Sequence, residues 1–120
     1  MNANLRQSGG EKFDDGKPQL DLLDPYALTV LTKVLMFGAK KYAPDNWRKG
    51  ISYRRLVAAA MRHMLSFMDG EDCDPETGLP HAGHAMCCRM FLIWTMKNRA
   101  DLDDGRFGGE LKTEGNSDGK

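Results

Sequence analysis

The sequence predicts an all-α protein, a small bundle of three to four helices. Apolar side chains recur at three- and four-residue steps through the middle of the chain, which is the spacing of one helix face. Residues that favour helix ends bound these stretches, among them the Asp24–Pro25 pair and Gly70. No alternating pattern of useful length indicates a strand. Together these observations favour helices packed on helices around one core.

A first helix is predicted from Pro25 to about Tyr42. Asp24 supplies an N-cap acceptor, and the fixed φ of Pro25 suits the first helical position. Pro44 prevents the helix from continuing. The apolar stripe of this helix is formed by Ala27, Leu28, Leu31, Val34, Leu35, Gly38 and Tyr42.

A second helix is predicted to begin at Ser52, whose hydroxyl can cap it, and to stop at Gly70. Its buried stripe is expected to comprise Leu56, Val57, Ala60, Met61, Met64, Phe67 and Met68. The third helix is expected from about Leu79 to Asn98. Because residues 85–96 are almost entirely apolar, this helix is expected to be buried on most sides by its neighbours or by a second subunit.

Length and composition predict one domain with two tails. Residues 1–12 and 99–120 are polar or rich in Gly and charge, so we expect flexible tails around a folded domain at residues 13–98. A core of roughly 85 residues buries little surface by itself. We therefore expect a dimer or a larger homo-oligomer.

Charge and cysteine content exclude several classes of protein. The 17 basic and 17 acidic side chains balance, which argues against a nucleic-acid or membrane-surface partner. No apolar run approaches the roughly 20 residues that a bilayer requires, and residues 1–10 lack the apolar stretch of a signal peptide. Three cysteines do not form a disulfide framework. The expected location is the reducing cytoplasm.

The stretch GEDCDPETGLPHAGHAMCC, residues 70–88, carries the densest set of candidate ligands. Glu71, Asp72, Asp74 and Glu76 repel one another, and a bound cation would relieve that repulsion. The alternative is a solvated acidic loop in which Asp74 caps a short turn.

Three histidines accompany this acidic loop. His81 and His84 lie three residues apart at the start of the third helix, which favours an oxygen-and-imidazole site for Mg²⁺ or Mn²⁺. His63, in the second helix, is a further ligand, a base that orients water, or a hydrogen-bonded core residue. A structural zinc site of His81, His84, Cys88 and one more ligand is a weaker alternative, because no paired CxxC or HxxxH accompanies it.

A basic loop follows the first helix, FGAKKYAPDNWRKG at residues 37–50. Its cationic side chains, Lys40 and Lys41 among them, suit phosphate groups, while Asn46 and Trp47 suit a nucleobase through edge hydrogen bonds and stacking. The alternative is a basic surface loop whose tryptophan packs into the core.

Three stretches, KFDDGKPQLDLL, FGAKKYAPDNWRKGISY and RHMLSFMDGEDCDPETGLPHAGHAMC, together resemble the phage dATP/dGTP diphosphohydrolase N-terminal domain family. This family is related to the MazG-like all-α nucleotide pyrophosphohydrolases. The resemblance covers residues 12–96. It implies a metal-dependent enzyme that cleaves a purine deoxynucleoside triphosphate to the monophosphate and pyrophosphate during phage infection.

The acidic pattern departs from that of MazG-like enzymes, which place an ExxE on one helix and an ExxD on the next. Glu71 to Asp74 matches ExxD in a loop, but the second helix carries no acidic residue. Either the three histidines replace the missing ligands, or this copy is inactive. We assign catalytic roles to His63 and Glu71 and metal binding to Glu71, Asp72, Asp74, His81 and His84. Lys40, Lys41 and Arg62 are expected to contact the phosphates, and Asn46 and Trp47 the base. The competing hypothesis is a non-catalytic helical module that binds a nucleotide or a protein.

Overall fold

A computed structural model of the protein describes residues 9–106 and residue 108. Most of this range is helical, with α1 at Pro25–Lys41, α2 at Tyr53–Met68 and α3 at His81–Asn98. Short 3-10 helices occur at Leu20–Leu22, Asn46–Lys49 and Ala100–Leu102. The described residues contain no β-strand, which confirms the predicted all-α bundle. None of these helices is long and apolar enough to cross a membrane.

The ends of α1 follow the local sequence. Asp24 Oδ2 accepts a hydrogen bond of 2.8 Å from the backbone N–H of Ala27, as an N-cap residue should. Pro25 occupies the first turn, where no helical partner is needed for its nitrogen. At the other end the N–H of Tyr42 bonds to the carbonyl of Gly38, and the helix stops before Pro44. The predicted bounds of this helix are confirmed.

The central helix of the bundle is α3. It makes its most extensive contact with α2 and a smaller one with α1, whereas α1 and α2 contact each other little. The α1 contact is close because Gly83 lies directly against Val30 and Val34. A Cβ atom at Gly83 would fall 2.5 Å from Cγ1 of Val30. The first half of α3 is therefore the centre of the fold.

The core is small, and much of the predicted stripe of α2 lies outside it. Within the described residues the buried apolar side chains are Val30, Val34, Tyr53, Leu56, Ala85 and Cys87. The prediction that Val57, Met61, Met64, Phe67 and Met68 are buried is wrong for the single chain, since they are 37–76% exposed. The physical reason is that α2 has one main helical neighbour, which can cover only one face.

The second half of α3 is also only partly covered. Ile93 is 69% exposed and Met96 is 50% exposed, whereas Thr95 beside them is buried. In the first half of the helix His81, Gly83, Ala85 and Cys87 are buried but Ala82 is exposed, so the single chain does not show the expected enclosure on most sides. A second subunit covering the remainder stays a prediction.

Ser52 does not cap α2 in the predicted way, since its side chain makes no hydrogen bond to the helix end. The cap comes from a distant residue. Asp104 Oδ1 accepts a bond of 3.0 Å from the backbone N–H of Arg54, across 50 positions of sequence. Such a cap is invisible to local sequence rules because only tertiary structure brings the two segments together.

Residues 99–104, which composition assigns to the C-terminal tail, are packed against the helices. They include the Ala100–Leu102 turn, and the side chains of Arg99 and Leu102 lie against the backbone of Lys49–Gly50. Arg99 is also ion-paired with Asp101 at 2.9 Å. The N-terminal tail before residue 9 and most of the C-terminal tail lie outside the described residues.

Removing the Asp104 cap at the start of α2 should destabilise the protein. Asp104→Ala deletes the acceptor for the first turn of α2, so we expect a melting temperature lower by roughly a few degrees. Asp15→Ala, at an exposed position before α1, is the matched control and should leave the melting temperature unchanged. Equal melting temperatures for the two variants, measured by circular dichroism, would show that the Asp104 bond contributes nothing.

Candidate functional site

A pocket of about 850 Å³ lies between α1, the loop that follows it, and the first half of α3. Apolar side chains from α1 and α3 form one part of its wall, including Leu35, Phe37, Cys87, Met90 and Phe91. The other part is polar and contains His63, Asp74, Thr77 and His84. A volume of this size accommodates a nucleotide-sized ligand.

His63, in the middle of α2, meets the start of α3. Its Nδ1 lies 2.9 Å from Nδ1 of His81, and Nε2 of His81 lies 2.7 Å from Oε1 of Glu71. His81 is buried, with 3% of its side chain exposed, and it is positioned by the bond from its own N–H to the carbonyl of Asp72. The three side chains form a continuous hydrogen-bonded series.

The direction of these bonds follows from proton counting. Ionised Glu71 can only accept, so Nε2 of His81 carries a proton and donates to it. In neutral His81 the remaining nitrogen, Nδ1, is then an acceptor, and Nδ1 of His63 must donate to it. Nε2 of His63 is left with a lone pair and, within residues 9–106, with no hydrogen-bond partner. Glu71 therefore fixes the tautomer of His63 through His81.

His84 belongs to the same cluster through stacking and through Thr77. Its ring lies 4.6 Å from that of His63 with 9° between the planes. Its Nε2 lies 2.7 Å from the hydroxyl of Thr77, which also accepts a bond from the N–H of Leu79. The three imidazoles thus lie within one packed group.

Asp74 is held by the turn that follows it. Its Oδ2 accepts bonds of 3.1 Å from the backbone N–H groups of Glu76 and Thr77, and the Thr77 hydroxyl lies at 3.3 Å. This is the turn that the sequence offers as an alternative to metal binding. The turn and the cluster coexist, because the same bonds aim the carboxylate at the histidines. Sequence reasoning missed Thr77, whose signal is a hydroxyl three residues after the aspartate of an Asp-Pro turn.

Electrostatics favour the neutral forms of His63 and His84 near pH 7. Burial lowers the pKa of His63, and the neighbouring His84 and His81 lower it further. Burial likewise lowers the pKa of His84 against the opposing charge of Asp74. Burial alone would raise the pKa of Asp74, but the hydrogen bonds from Thr77 and the nearby histidines outweigh it and lower that pKa. Neutral imidazoles at His63 and His84 thus accompany an ionised carboxylate at Asp74.

This electrostatic pattern predicts a stability that falls in mild acid. A histidine whose folded pKa lies below its unfolded value of about 6.5 takes up protons more readily when unfolded. The free energy of unfolding should therefore decrease as the pH drops from about 6.5 towards the lowered values. Urea midpoints at pH 7.5 and 5.5 measure this, and a His63→Asn/His84→Asn variant should lose much of the difference. If the variant lost as much stability as the wild type between pH 7.5 and 5.5, these histidines would not be the cause of the pH dependence.

Three of these side chains present donor atoms close enough to share a metal ion. One ligand atom each from His63, Asp74 and His81 lie within 4.8 Å of one another. Glu71 stands behind His81, as a carboxylate that orients a metal-bound histidine does. The side chain of Asp72 is exposed and is not part of this group of donor atoms. Its backbone carbonyl accepts the hydrogen bond from the N–H of His81. Among the described residues the geometry therefore favours two nitrogens and one oxygen, with Glu71 behind them.

Cysteine does not take part in this cluster. Burial raises the pKa of Cys87 to about 12 and also raises that of Cys88, so both are thiols at neutral pH. The group of close donor atoms found in residues 9–106 does not include Cys88. The geometry thus gives no support to the zinc alternative.

The basic loop contributes some of its predicted residues to the pocket. Lys41 lines it and is ion-paired with Glu76 at 3.0 Å, a contact that raises the pKa of the lysine. Asn46 also lines it, as does Arg48, another of the cationic side chains of this loop. Lys40 is exposed and is not part of the pocket wall.

Trp47 lines the pocket while packing on α3. Its ring stacks on Phe91 at 4.4 Å and meets the edge of Trp94 at 5.1 Å, and the Arg48 guanidinium lies 4.3 Å from its centre. Arg62 lines a second cavity of about 330 Å³, which shares Ile51, Cys88 and Phe91 with the first. Base stacking on Trp47 and phosphate binding by Arg62 stay predictions, and the tryptophan matches the core-packing alternative.

The fold and the site define a class, a small all-helical protein whose pocket ends in a cluster of histidines and carboxylates. Within that class the chain belongs to the family described as dATP/dGTP diphosphohydrolase, N-terminal, which matches residues 7–105. The family resemblance inferred from the three sequence stretches is confirmed.

A curated relative extends this comparison. A protein of Salmonella phage PMBT28 called dATP/dGTP diphosphohydrolase is 43% identical over 98 residues, which are 82% of this chain and 33% of the relative. The chain therefore spans about a third of the length of that relative. No solved structure matches the chain significantly.

Proposed function

We propose that this chain hydrolyses dATP or dGTP to the monophosphate and pyrophosphate, with Mn²⁺ or Mg²⁺, in the cytoplasm of a phage-infected cell. Family membership and the name of the Salmonella phage relative support the substrate class. The pocket supports the chemistry, because it combines a space of nucleotide size with ionisable groups on one side.

The observation that carries the proposal is the series from Glu71 through His81 to His63, with Asp74 beside it. Neutral His81 donates its Nε2 proton to Glu71, so its Nδ1 lone pair is available either to the N–H of His63 or to an ion. Asp74 is fixed in an ionised form by its turn. Such a fixed set of imidazole nitrogens and one carboxylate suits a divalent ion.

The donor set fits a divalent ion held by His63, Asp74 and His81. Bound there, the ion would supply positive charge to the phosphate oxygens and lower the pKa of a bound water. Two nitrogen donors suit Mn²⁺ better than Mg²⁺, which prefers oxygen. His84 and Thr77 would act on this group indirectly, by keeping His63 and Asp74 in position.

His63 has two roles that exclude each other at Nδ1. As a metal ligand through Nδ1 it gives up the bond to His81 and carries its proton on Nε2. Where Nδ1 keeps that bond, the Nδ1 lone pair of His81 is also occupied, so Asp74 alone of the three would hold the ion, and Nε2 of His63 accepts the proton of the attacking water. In the reaction the water oxygen forms a bond to the α phosphorus, the bond from that phosphorus to the bridging oxygen breaks, and pyrophosphate leaves. Lys41 and Arg48 line the same pocket and offset the phosphate charge.

The choice of metal is a direct test of the donor set. We expect kcat/KM for dGTP to be higher with Mn²⁺ than with Mg²⁺ at equal concentration, and EDTA to abolish turnover. Manganese should also raise the melting temperature of the wild-type protein, because it binds only the folded site. Full activity in EDTA would contradict a metal-dependent mechanism.

The experiment that tests the function is a chromatographic assay of the four dNTPs and the four NTPs with Mn²⁺, with Mg²⁺ and with EDTA. Metal-dependent release of dAMP or dGMP together with pyrophosphate supports the proposal. Release of the nucleoside with triphosphate, or of the diphosphate with phosphate, would contradict the proposed bond cleavage.

The second candidate is a nucleotide-binding module without turnover. The observation that favours it is that the chain matches a third of its curated relative, so the activity in that protein's name belongs to a much longer chain. Isothermal titration showing dGTP binding, with no product in the same preparation, would assign this function instead.

A further inference from the structure

The second cavity, of about 330 Å³, is lined on one side by α2. Arg55, Ala58, Ala59 and Arg62 contribute to this side, and their spacing places them on one face of the helix. The two alanines lie between the two arginines and are too small to fill the space that separates them. The rest of the lining is apolar and consists of Ile51, Leu56, Cys88 and Phe91. The cavity therefore combines apolar walls with two cationic side chains, and no carboxylate lines it.

Arg55 and Arg62 differ from most arginines of the described chain because they have no ionic partner. Arg48 and Arg99 are ion-paired with nearby aspartates at 3.0 and 2.9 Å. Within residues 9–106, neither Arg55 nor Arg62 forms a hydrogen bond or an ion pair. The 16 residues of α2 include no carboxylate that could pair with them. Two guanidinium groups at one cavity thus lack a carboxylate partner in the part of the chain that the structure describes.

The positions of the two arginines indicate the kind of anion that would fit. Positions seven apart on a helix are separated by about 10.5 Å along its axis. Each guanidinium group carries its own fork of N–H donors, which matches one phosphate group bidentately. Two forks at this separation therefore suit two linked phosphate groups better than a single phosphate. The cavity volume is sufficient for a group of that size.

The second cavity adjoins the main pocket. Ile51, Cys88 and Phe91 line both of them. The charge of Arg62 acts on this shared wall, since burial raises the pKa of Cys88 and Arg62 opposes the rise. A nucleotide in the main pocket would therefore lie beside a cationic cavity that can receive the far end of its phosphate chain.

We propose that the second cavity is a binding site for a diphosphate group, which Arg55 and Arg62 hold through their guanidinium groups. The β and γ phosphates of a bound dNTP and free pyrophosphate present the same group, so they are its two sources. Binding of free pyrophosphate does not depend on turnover, whereas the nucleotide as a source rests on the proposed hydrolase function. Arg62 thereby contacts phosphate from outside the main pocket, and Arg55 joins it.

Isothermal titration of the full chain with inorganic pyrophosphate, in metal-free buffer at low ionic strength, tests the site without turnover. The wild-type protein should bind with a Kd below about 1 mM, as two charge-assisted contacts suffice for. Arg55→Ala/Arg62→Ala should weaken binding at least about tenfold, because both forks are lost. Arg89→Ala removes an exposed arginine of α3 that lines neither cavity, and it is the matched control with unchanged binding.

Filling the cavity tests where the anion binds, separately from the charge. Ala58 is exposed and lies between the two arginines, so Ala58→Leu occupies that space while both guanidinium groups and a good helix former remain. This variant should also weaken pyrophosphate binding several-fold, with unchanged helical circular dichroism. Unchanged binding in Ala58→Leu or in the double arginine variant, an equal loss in Arg89→Ala, or no pyrophosphate binding by the wild type would each overturn the proposal.

Steady-state kinetics of the double arginine variant distinguish the two sources. If the cavity takes the β and γ phosphates of the substrate, KM for dGTP should rise at least about tenfold while dGMP binding is unchanged. If the cavity takes the free product, the inhibition constant of pyrophosphate should rise instead. An active wild type that does not bind pyrophosphate would overturn the site and leave the hydrolase function standing. An inactive wild type that binds pyrophosphate through both arginines would overturn the hydrolase function and leave the site standing.

Discussion

Replacing His63 with asparagine is expected to lower kcat for dGTP and dATP by roughly 10²- to 10⁴-fold. The asparagine amide can still donate to Nδ1 of His81, but the second imidazole nitrogen is lost from the pocket. The two proposed roles of His63 separate in the same variant. If His63 is a metal ligand, the variant should bind Mn²⁺ more weakly and also turn over more slowly. If His63 is a base, the variant should turn over more slowly with unchanged Mn²⁺ affinity.

Asp72→Asn is the matched control for this experiment. Sequence spacing groups Asp72 with the metal carboxylates, but the structure places its side chain outside the cluster. Its activity should stay within about twofold of wild type, since its carbonyl bond to the His81 N–H survives the change. Wild-type rates in His63→Asn, or a large loss in Asp72→Asn, would mean that the catalytic group lies elsewhere in the loop.

Gly83→Ala is expected to destabilise the fold by about 1–3 kcal/mol, the usual cost of overpacking a close contact. The new methyl would lie 2.5 Å from Cγ1 of Val30, a side chain that is buried and stiff at χ1. Alanine favours a helix over glycine, but that gain of about 1 kcal/mol offsets only part of the clash. Urea unfolding of the purified variants measures the difference.

Gly38→Ala provides the opposite outcome from the same chemical change. Gly38 also lies inside an α-helix, yet nothing lies within 4 Å of a Cβ built there. This variant should therefore be stabilised by up to about 1 kcal/mol. In the Gly83→Ala background, Val30→Ala should recover part of the lost stability, because it removes the methyl group against which the new Cβ of residue 83 clashes. Equal effects at the two glycines would contradict a close α1–α3 contact.

The parts of the fold that the sequence predicts well are those specified by neighbouring residues. The start of α1 depends on Asp24 and Pro25, and the end of α2 on Gly70, whose φ of 100° suits a residue without Cβ. Likewise, the acidic loop and the start of α3 bring Glu71, Asp74 and His81 near one another because they lie within eleven positions. Local rules suffice for such features.

Features that join distant segments escape these rules. The cap on α2 comes from Asp104 rather than Ser52, and Nδ1 of His63 meets a histidine 18 positions further along the chain. Apolar spacing shows that α2 has an apolar stripe, but it cannot show which neighbour covers it. The exposed Met61, Met64 and Met68 illustrate this limit.

The sequence by itself determined the helices, their approximate ends and the family, because periodicity, capping residues and short motifs are local properties. Only the tertiary structure decided that Asp72 stands apart from the cluster and that Arg62 and Lys40 lie outside the main pocket. It also decided that Thr77 links Asp74 to His84. The physical reason is that a hydrogen bond or a metal site depends on distances of a few ångströms, which are set by how helices pack and not by their spacing in sequence.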